Sequence, residues 1–450
     1  MSNLIFPKGF LWGAATSDYQ IEGASNIDGK GETFWDRFCS IPGKVANDDN
    51  GNTACDHYHR YVEDVELMKE IGLAAYRMSI SWARIFPEGK GRPNPKGMDF
   101  YKRLIDLLLQ SGIKPVVTLQ HWGFPQKLQD QGGWANRDIA EYFQQFVYYV
   151  FKELGDVVHT WITHNEPIET SYLGYFTGEH APGCTDFPTS LLVTHNLLIS
   201  HGKAVETFRQ MGLEGEIGIT LDFHPGCSLS NKVEDIAAAD RIGKYFNRWF
   251  AEAIFKGKFP DGLEEFFLRK GVKVPEMSRE DFKLVSLPID FLGVNYYFPY
   301  YVKHNPSIWP FECDTYAGTK GKAKTSMGWA VFPDGMYDTV KKLVEEYGNI
   351  KMYITENGAA FDDIVDRTGK VEDPQRIDFL YQHLEQVHRC IQEGINLQGY
   401  FVWSLMDNFE WAWGYDKRFG IIHIDYETMK RTVKSSGYWY RDVIKRNGLM

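Results

Sequence analysis

The sequence predicts a (β/α)8 TIM barrel of the α/β class, and three observations lead to this prediction. Eight short β-rich runs alternate with longer segments of helix-like apolar spacing, the pattern of βα units around a parallel sheet. Polar and aromatic residues follow the ends of these runs, where a barrel gathers its functional groups. The length of 450 residues is within the range of α/β barrels that carry long loops.

The predicted elements follow one another without a break along the chain. Strands are predicted at residues 11–15, 75–79, 115–120, 159–164, 217–221, 291–295, 352–355 and 399–403. Helices are predicted at 58–70, 100–109, 139–154, 190–211, 236–254, 335–346 and 377–393, with 433–445 closing the ring. The polar, Gly-containing stretches 48–53 and 318–326 are interpreted as barrel loops. Because no repeat, low-complexity run or linker interrupts this order, one domain over residues 1–450 is expected.

Composition and charge exclude several kinds of partner. A net charge of −11 argues against nucleic acid, since phosphate binding needs clustered lysine and arginine. No stretch is long and apolar enough to predict a membrane span, and residues 1–9 lack the pattern of a signal peptide. The six cysteines are widely scattered, which favours free thiols in a reducing compartment and predicts a cytoplasmic location; they are Cys39, Cys55, Cys184, Cys227, Cys313 and Cys390.

Two glutamates stand at the ends of strand-like apolar runs. Glu166 is followed by Pro167, which disfavours the α region for the residue before it, so Glu166 is expected to be extended. Glu356 is followed by the turn dipeptide Asn357-Gly358. Both carboxylates are therefore expected to face one cleft, where such a pair can cleave a glycosidic bond. The alternative, that each is a surface glutamate at a loop entrance, fits poorly with the apolar residues that precede them.

Seven segments form a consistent series along almost the whole chain. They are FLWGAATSDYQIEG at 10–23, YRMSISWARI at 76–85, HW at 121–122, NEP at 165–167, NYY at 295–297, ITENG at 354–358 and WSLMDNFEW at 403–411. Together they resemble the motifs of the glycoside hydrolase family 1 β-glucosidases, in family order and at family-like spacing. The resemblance implies the same barrel fold.

The resemblance also implies a set of catalytic residues and a double displacement that retains the β configuration. Glu356 would attack the anomeric carbon as a carboxylate, with Arg77 and the Tyr296 hydroxyl lowering its pKa. Glu166 would begin protonated, give its proton to the leaving oxygen and then act as base toward water. Asn165 would bind the sugar 2-hydroxyl, and carboxyl separations of about 5–5.5 Å are typical of such enzymes. For Arg77, a purely structural ion pair is the alternative.

A second set of residues is implied to bind the substrate. Trp403 would lie under the sugar ring and Trp329 would be an aglycone platform, with hydroxyl groups bound by Gln20, His121, Asn165, Glu410 and Trp411. Trp122 and Tyr296 are also expected to contact the substrate. Without the resemblance, tryptophans such as Trp403 and Trp411 would be interpreted as packing residues. Glu410 is harder to explain in that way, because a carboxylate in so apolar a run would be costly to bury without a partner.

No metal site and no cofactor are expected. Residues 55–59 contain ligand-type side chains, but the second cluster needed for a zinc site is missing. In the resembled family this segment opens the first barrel helix, so Asp56 is expected to cap that helix. No Gly-rich phosphate-binding loop stands out.

The sequence departs from the family pattern at three places. His164 precedes the Asn-Glu-Pro motif, and Gly123 follows the His-Trp pair. Ile168, followed by Glu169, stands where a tryptophan is usual at the leaving-group side. The aglycone preference is therefore left open, as are the glucose-to-galactose preference and the oligomeric state.

Three functions are compatible with these residues. The favoured one is a retaining β-glucosidase that acts on small-molecule β-glucosides, including disaccharides and aryl or alkyl β-glucosides, with β-galactosides and β-fucosides as further candidates. A 6-phospho-β-glucosidase is the second, although Glu410 would repel the phosphate. A sugar-binding protein without catalysis is the third, and the presence of Glu166, Glu356 and Arg77 argues against it.

Overall fold

Eight parallel strands form a closed barrel at the centre of the computed structural model, which describes residues 4–319 and 321–450. Each strand pairs with the next in the chain, and the eighth pairs with the first. The strands are β1 Leu11–Ala15, β2 Ala75–Ser79, β3 Lys114–Gln120, β4 Thr160–Asn165, β5 Glu216–Asp222, β6 Phe291–Asn295, β7 Met352–Asn357 and β8 Leu397–Trp403. The predicted barrel is confirmed. Within the predicted loop 318–326, Lys320 lies outside the described residues, as do residues 1–3 of the N-terminal stretch.

Helices surround the barrel at the predicted places. The larger ones are His57–Ile71, Pro95–Gln110, Ile139–Leu154, Phe187–Gln210, Val233–Gly243, Trp249–Lys256, Asp334–Tyr347, Pro374–Gln392 and Ser435–Arg446. Shorter helices lie in the connections at Asp18–Ile21, Phe34–Cys39, Trp82–Ile85, Gln126–Gln129, Pro167–Ser171, Leu263–Arg269 and Arg279–Val285. Small sheets outside the barrel pair Leu4–Ile5 with Gly448–Leu449, Tyr300–His304 with both Gly226–Ser228 and Cys313–Tyr316, and Ile422–Asp425 with Lys430–Val433.

The helix Pro95–Gln110 illustrates how the ring is built from sequence. Proline suits the first helical position because its φ is already near the helical value and its missing N–H would have no helical partner there. Phe100, Leu104 and Leu108 recur four residues apart and are fully buried against the barrel. Burying side chains of this kind stabilises the fold by about 1.5–3 kcal/mol each. Gly112, with φ of +74°, turns the chain after the helix ends.

The helix predicted at 236–254 is not continuous. Val233–Gly243 and Trp249–Lys256 are separated by a π-helical segment, Lys244–Arg248. Asn247 in this segment accepts a hydrogen bond from the His224 amide and donates one to the His224 carbonyl, both at 2.8 Å. The wider turn thus lets one helix residue bind the loop that follows β5, and such π segments often occur at functional sites.

Asp56 precedes the helix His57–Ile71 as predicted, but it does not cap the helix with its side chain. Its backbone is left-handed, with φ of 54°, and the carboxylate lies 2.6 Å from Nδ1 of His59. The predicted cap is therefore wrong in its chemistry, because the left-handed conformation differs from the extended one that brings a capping oxygen to the first amides.

A buried ion network supports the long connection that follows β8. Asp407 accepts hydrogen bonds from Lys434 at 2.6 Å and from Arg418 at 2.8 Å. Lys434 also contacts Asp363, which pairs with Arg376 at 2.7 Å. This network fixes the segment that carries Glu410 and Trp411.

Among the described residues, no helix is long and apolar enough to cross a membrane.

Candidate active site

Glu166 and Glu356 both reach a cavity at the C-terminal end of the barrel. Glu166 directly follows β4, and Glu356 lies near the end of β7. Both side chains are buried, and both line a cavity of about 310 Å³. The expectation that the two carboxylates face one cleft agrees with this arrangement.

The backbone of Glu166 differs from the prediction. Glu166 has φ of 44° and ψ of 60°, which is left-handed and not extended. The following proline disfavours the right-handed α region, but the left-handed region remains open to the chain. The Glu166 amide still donates to the Thr220 carbonyl of β5 at 3.0 Å, while the chain turns directly into the helix Pro167–Ser171. Trp122 and Trp411 also have positive φ, and backbone strain of this kind concentrates at functional sites.

A chain of hydrogen bonds joins the two glutamates. Arg77 donates through one nitrogen to Glu356 and through another to the side-chain oxygen of Asn165. Asn295 donates to Glu166 at 2.6 Å and to the same Asn165 oxygen at 3.1 Å. Glu356 thus has a cation beside it, whereas Glu166 has only a neutral amide.

The tyrosine beside Glu356 is Tyr297, and the predicted placement of Tyr296 there is wrong. The Tyr297 hydroxyl donates to Oε2 of Glu356 at 2.6 Å. The Tyr296 hydroxyl donates instead to the carbonyl of Phe332 at 2.7 Å. Side chains alternate along extended chain, so after Asn295 has pointed into the site, Tyr296 points away and Tyr297 points in again.

The surroundings of Glu166 favour its protonated form. Burial raises the pKa of Glu166 well above its ordinary value, and the nearby charges of Glu356 and Asp222 raise it further. The hydrogen bond from Asn295 opposes this shift.

The pKa of Glu356 is also raised, because the effect of burial exceeds the opposing effects of Arg77 and the Tyr297 hydroxyl. The sequence correctly predicted that neighbouring groups lower the pKa of Glu356, but the net shift is upward. The sequence motif does not show how deeply Glu356 is buried in the barrel, and burial is the larger effect. Even so, the charge of Glu356 is stabilised by the Arg77 cation and the Tyr297 hydroxyl as well as by the Asn295 amide. The charge of Glu166 is stabilised by the Asn295 amide, with no cation of the described residues among the main groups that shift its pKa.

Aromatic rings and a buried imidazole form one end of the cavity. Trp403, Trp411 and Trp122 line it, and the His121 ring stacks on Trp403 with centroids 5.8 Å apart. Burial and the charge of Arg77 lower the pKa of His121 well below its ordinary value, so the ring is neutral. Its Nε2 lies 3.1 Å from the Asn165 side-chain nitrogen, which can only donate, so the proton of His121 is on Nδ1.

Glu410 faces this same end without a hydrogen-bonding partner for its Oε2 atom among the described residues. Burial and the charge of Glu356 raise the pKa of Glu410 to about 8. The geometry leaves a buried acceptor directed at the cavity, which agrees with the argument from the sequence that Glu410 needs a partner.

Gln20 and Trp329 occupy different positions relative to the cavity. The Gln20 amide donates to Asn408 and to the Phe409 carbonyl, at 3.0 and 2.8 Å, so it supports the segment before Glu410. Gln20 is not among the residues that line the cavity, whereas Trp329 is. Trp329 packs against Tyr297 with ring centroids 5.6 Å apart.

Several residues of the site were not predicted from the sequence. Asn295 and Tyr297 belong to the quoted NYY motif, and strand alternation could have identified both as inward-facing residues. Glu169, Asp222 and His224 also line the cavity. Of these, Glu169 was noticed only as a departure, and nothing in the sequence alone brings the three together.

A second cavity of about 340 Å³ lies between the loop after β5 and the helices Val233–Gly243 and Asp334–Tyr347. Neither Glu166 nor Glu356 lines it, although its lining includes Asp240, Arg248 and Glu346. Size alone therefore does not mark the reactive site.

A closed (β/α)8 barrel with two buried carboxyl groups facing one cavity at its C-terminal end is the arrangement of glycoside hydrolases. The chain belongs to glycosyl hydrolase family 1, whose sequence profile matches residues 2–449. Beta-glucosidase A of Acetivibrio thermocellus is 51% identical over 448 residues, with 100% of both chains covered. A bifunctional beta-D-glucosidase/beta-D-fucosidase of Bifidobacterium breve is 40% identical and covers 98% of each chain.

Solved structures agree with this assignment. The family 1 β-glucosidase from Thermotoga maritima superposes with a TM-score of 0.96 at 47% identity, covering 100% of each chain. The same enzyme in complex with isofagomine lactam gives a TM-score of 0.95, again with 100% of each chain covered.

Proposed function

We propose that the protein is a retaining β-glucosidase that releases terminal β-D-glucosyl residues from disaccharides and from aryl or alkyl β-glucosides. One observation carries the proposal: two buried carboxyl groups line one cavity, and their hydrogen-bonding partners differ in charge. Glu356 has Arg77 and Tyr297, whereas Glu166 has the neutral amide of Asn295. Their partners therefore suit one group to be ionised and the other protonated.

In the first step, Glu356 attacks the anomeric carbon. A bond forms between a carboxylate oxygen and C1 while the glycosidic C–O bond breaks. Glu166 gives its proton to the departing oxygen, so that the leaving group departs as a neutral alcohol or phenol. Arg77 and Tyr297 hold the attacking carboxylate in position for attack on C1. An ion pair that only stabilised the fold would not need to orient Glu356 in this way.

In the second step, water hydrolyses the glucosyl-enzyme. Once Glu356 is esterified, its negative charge is gone, and the pKa of Glu166 falls because that charge is one cause of its elevation. Glu166 then removes a proton from water, which attacks C1 and releases Glu356. Two inversions at C1 restore the β configuration.

Sugar recognition follows from the aromatic end of the cavity. Trp403 offers a flat face to the C–H side of the ring, and Trp329 and Trp411 form other parts of the wall. Glu410 accepts from sugar hydroxyls through its unpaired oxygen, and His121 donates through Nδ1. Asn165 donates one amide hydrogen to His121, which leaves its second hydrogen for the 2-hydroxyl.

Phosphorylated sugars fit this site less well. Among the described residues, the cavity lining includes no lysine or arginine that could pair with a 6-phosphate, and the nearby cations already have other partners. Lys417 donates to the Ser326 carbonyl at 3.0 Å, and Arg418 donates to Asp407 at 2.8 Å. A binding protein without catalysis would have no use for the two differently partnered glutamates.

Finer features of the activity belong to the same proposal. β-Fucosides are candidate substrates because the Bifidobacterium breve relative is described as a glucosidase/fucosidase, and β-galactosides remain candidates from the sequence. A role in cellulose breakdown is compatible with acting on cellobiose. The six cysteines are all free, which supports a reducing compartment such as the cytoplasm.

The direct test is hydrolysis of nitrophenyl β-D-glucoside followed by NMR of the released sugar. We expect nitrophenol release, with β-glucose appearing before mutarotation produces the α anomer. The Glu356→Gln variant, prepared in parallel, should release none. Absence of release by the wild-type protein, or α-glucose as the first product, would contradict the proposal.

A further inference from the structure

A second polar cluster lines the cavity apart from the two glutamates of the proposed mechanism. It consists of Glu169, Asp222 and His224, which are 9%, 2% and 6% exposed. Glu169 lies on the helix Pro167–Ser171, Asp222 ends β5, and His224 follows two residues later. One side-chain oxygen or nitrogen from each lies within 4.8 Å of those of the others.

The cluster is rich in acceptors and poor in donors. Neither side-chain oxygen of Asp222, nor Oε1 of Glu169, receives a hydrogen bond from an N–H or hydroxyl group of the described residues. Burial raises the pKa of Glu169 well above its ordinary value, and the charge of the adjacent Asp222 carboxyl and a hydrogen bond with it raise it further. Since nine-tenths or more of each residue is buried, the two carboxyl groups need either a shared proton or a donor that enters the cavity.

His224 adds a third polar group. Its Nδ1 lies 3.1 Å from the Phe298 carbonyl, which can only accept, so Nδ1 carries a proton. Its Nε2 lies 3.3 Å from Asp222 Oδ2, and this contact is favourable only with a proton or another positive group between the two atoms.

The charge of the cavity wall points to the same kind of ligand. Six carboxyl side chains line the cavity, and its lining residues include no lysine or arginine; the six are Glu166, Glu169, Glu179, Asp222, Glu356 and Glu410. Burial and neighbouring carboxyl groups raise the pKa of Glu166, Glu169 and Glu410, and a cation in the cavity would relieve this cost of ionisation, whereas a neutral ligand would not.

The position of the cluster identifies which part of the substrate it meets. Asp222 is among the charges that raise the pKa of Glu166, whereas Glu410 is affected by Glu356. In the proposed reaction Glu166 protonates the leaving oxygen, so the leaving group lies on its side of the cavity. Glu169, one helical turn after Glu166, lies on that side too.

The backbone holds this cluster firmly. Asn247, in the π-helical segment Lys244–Arg248, binds both the amide and the carbonyl of His224. A second π-helical segment, Tyr172–Thr177, directly follows the helix that carries Glu169. Irregular helical turns on both sides of one cluster are typical of a functional site.

We propose that Glu169, Asp222 and His224 form an aglycone subsite for β-glucosides whose leaving group carries a protonated amine, such as an amino sugar or an amino alcohol. This inference rests on the proposed β-glucosidase activity. An ammonium group has three N–H donors, and it can replace the protons that the two carboxyl groups and the imidazole otherwise share. Charge-assisted hydrogen bonds of this kind are the strong ones.

The test compares three disaccharides with the same β-1,4 linkage: glucosyl-glucosamine, cellobiose, and the N-acetylated form of the first. We expect kcat/KM for the amine to exceed that for each neutral substrate by about tenfold or more, the size expected from a single charge-assisted hydrogen bond. Asp222→Asn and Glu169→Gln should each reduce this ratio toward one. Asp261→Asn, which changes an exposed carboxylate, should leave the ratio unchanged.

Other outcomes would overturn the inference. Equal kcat/KM for the three substrates in the wild-type protein would show that the cluster binds hydroxyls, and this result does not depend on any variant folding. Binding of Zn²⁺ or Mn²⁺ alone by calorimetry, lost in Asp222→Asn, would make the cluster a metal site instead. Nitrophenyl β-glucoside hydrolysis by the wild-type protein is measured in parallel, so that failure of the proposed activity is recognised separately.

Discussion

Two adjacent tyrosines show how a single residue step changes a role. Tyr297 donates to Glu356, while Tyr296 donates to a backbone carbonyl on the other side of the chain. Tyr297→Phe should lower kcat/KM on nitrophenyl β-glucoside by about tenfold to a hundredfold, because a hydrogen bond to a charged group is lost. It should also shift the acidic limb of the pH profile upward, since this hydrogen bond lowers the pKa of Glu356.

Tyr296→Phe is the matched control for this prediction. It removes a hydroxyl of the same size from the neighbouring residue, so kcat/KM and the acidic limb should stay near their wild-type values. If the two variants behaved alike, the contact between Tyr297 and Glu356 would have no part in positioning the nucleophile.

Glu410 decides between neutral and phosphorylated sugars. Its carboxyl group is expected to hydrogen-bond with two ring hydroxyls, each bond contributing about 0.5–1.5 kcal/mol. Glu410→Ser should therefore cut kcat/KM on β-glucosides by about tenfold or more, and the relative preference for 6-phosphoglucosides should rise. Unchanged glucoside kinetics would show that Glu410 does not face the sugar.

At the residue scale, the sequence predicted which motifs form the site more reliably than it predicted which way each side chain points. Glu166, Glu356, Arg77 and Asn165 lie close together, because each lies in or directly after a barrel strand whose place is fixed. Tyr296 was misassigned because both tyrosines follow the end of β6 at Asn295, and the motif alone does not show which of them points inward; alternation from Asn295 would have identified Tyr297. Gln20 shows the same limit, since its partners come from a segment almost 400 residues away in the chain.

At the scale of elements, the connection after β8 depends on a buried ion network. Lys434 is fully buried between Asp363 and Asp407. Lys434→Met would leave these carboxylates partly uncompensated, and breaking a buried pair in this way destabilises proteins by about 3–5 kcal/mol. The midpoint of urea unfolding should fall accordingly.

Lys273→Met provides the comparison for this variant, because Lys273 pairs with Glu276 on the exposed surface. It should leave the unfolding midpoint unchanged. A Lys434→Met protein as stable as the wild type would mean that the network does not hold the segment that carries Glu410.

The order of strands and helices could be predicted because hydrophobic periodicity reports which face each element buries. The π-helical segments could not, because one extra residue in a turn hardly alters that periodicity. Lys244–Arg248 is set by the contact between Asn247 and His224, which come from different connections of the barrel. Such contacts appear only once the fold is known.

At the scale of the whole molecule, the acidic cavity should make stability depend on pH. The pKa of Glu410 is raised from 4.5 to about 8, so between these values the folded protein keeps a proton that the unfolded chain releases. Stability from this group therefore falls as pH rises through that window. Glutamine cannot ionise, so the Tm of Glu410→Gln minus the Tm of the wild type should increase by about 2 °C or more as the pH rises from about 5 to about 8.

Calorimetry at both pH values, with Glu276→Gln as a variant of an exposed carboxylate, checks this expectation. A Tm difference between Glu410→Gln and wild type that does not change with pH would show that Glu410 is already ionised in the folded protein.

The assignment of roles to Glu356 and Glu166 is the central claim, and rescue by azide tests it most directly. In Glu356→Gly, azide should occupy the space of the nucleophile and attack an activated β-glucoside from the opposite face, giving α-glucosyl azide. In Glu166→Ala, the glucosyl-enzyme still forms from a substrate with a good leaving group, and azide should give β-glucosyl azide. The product configurations are read by NMR. If the two variants gave the opposite configurations, the nucleophile and the acid would have been assigned the wrong way round.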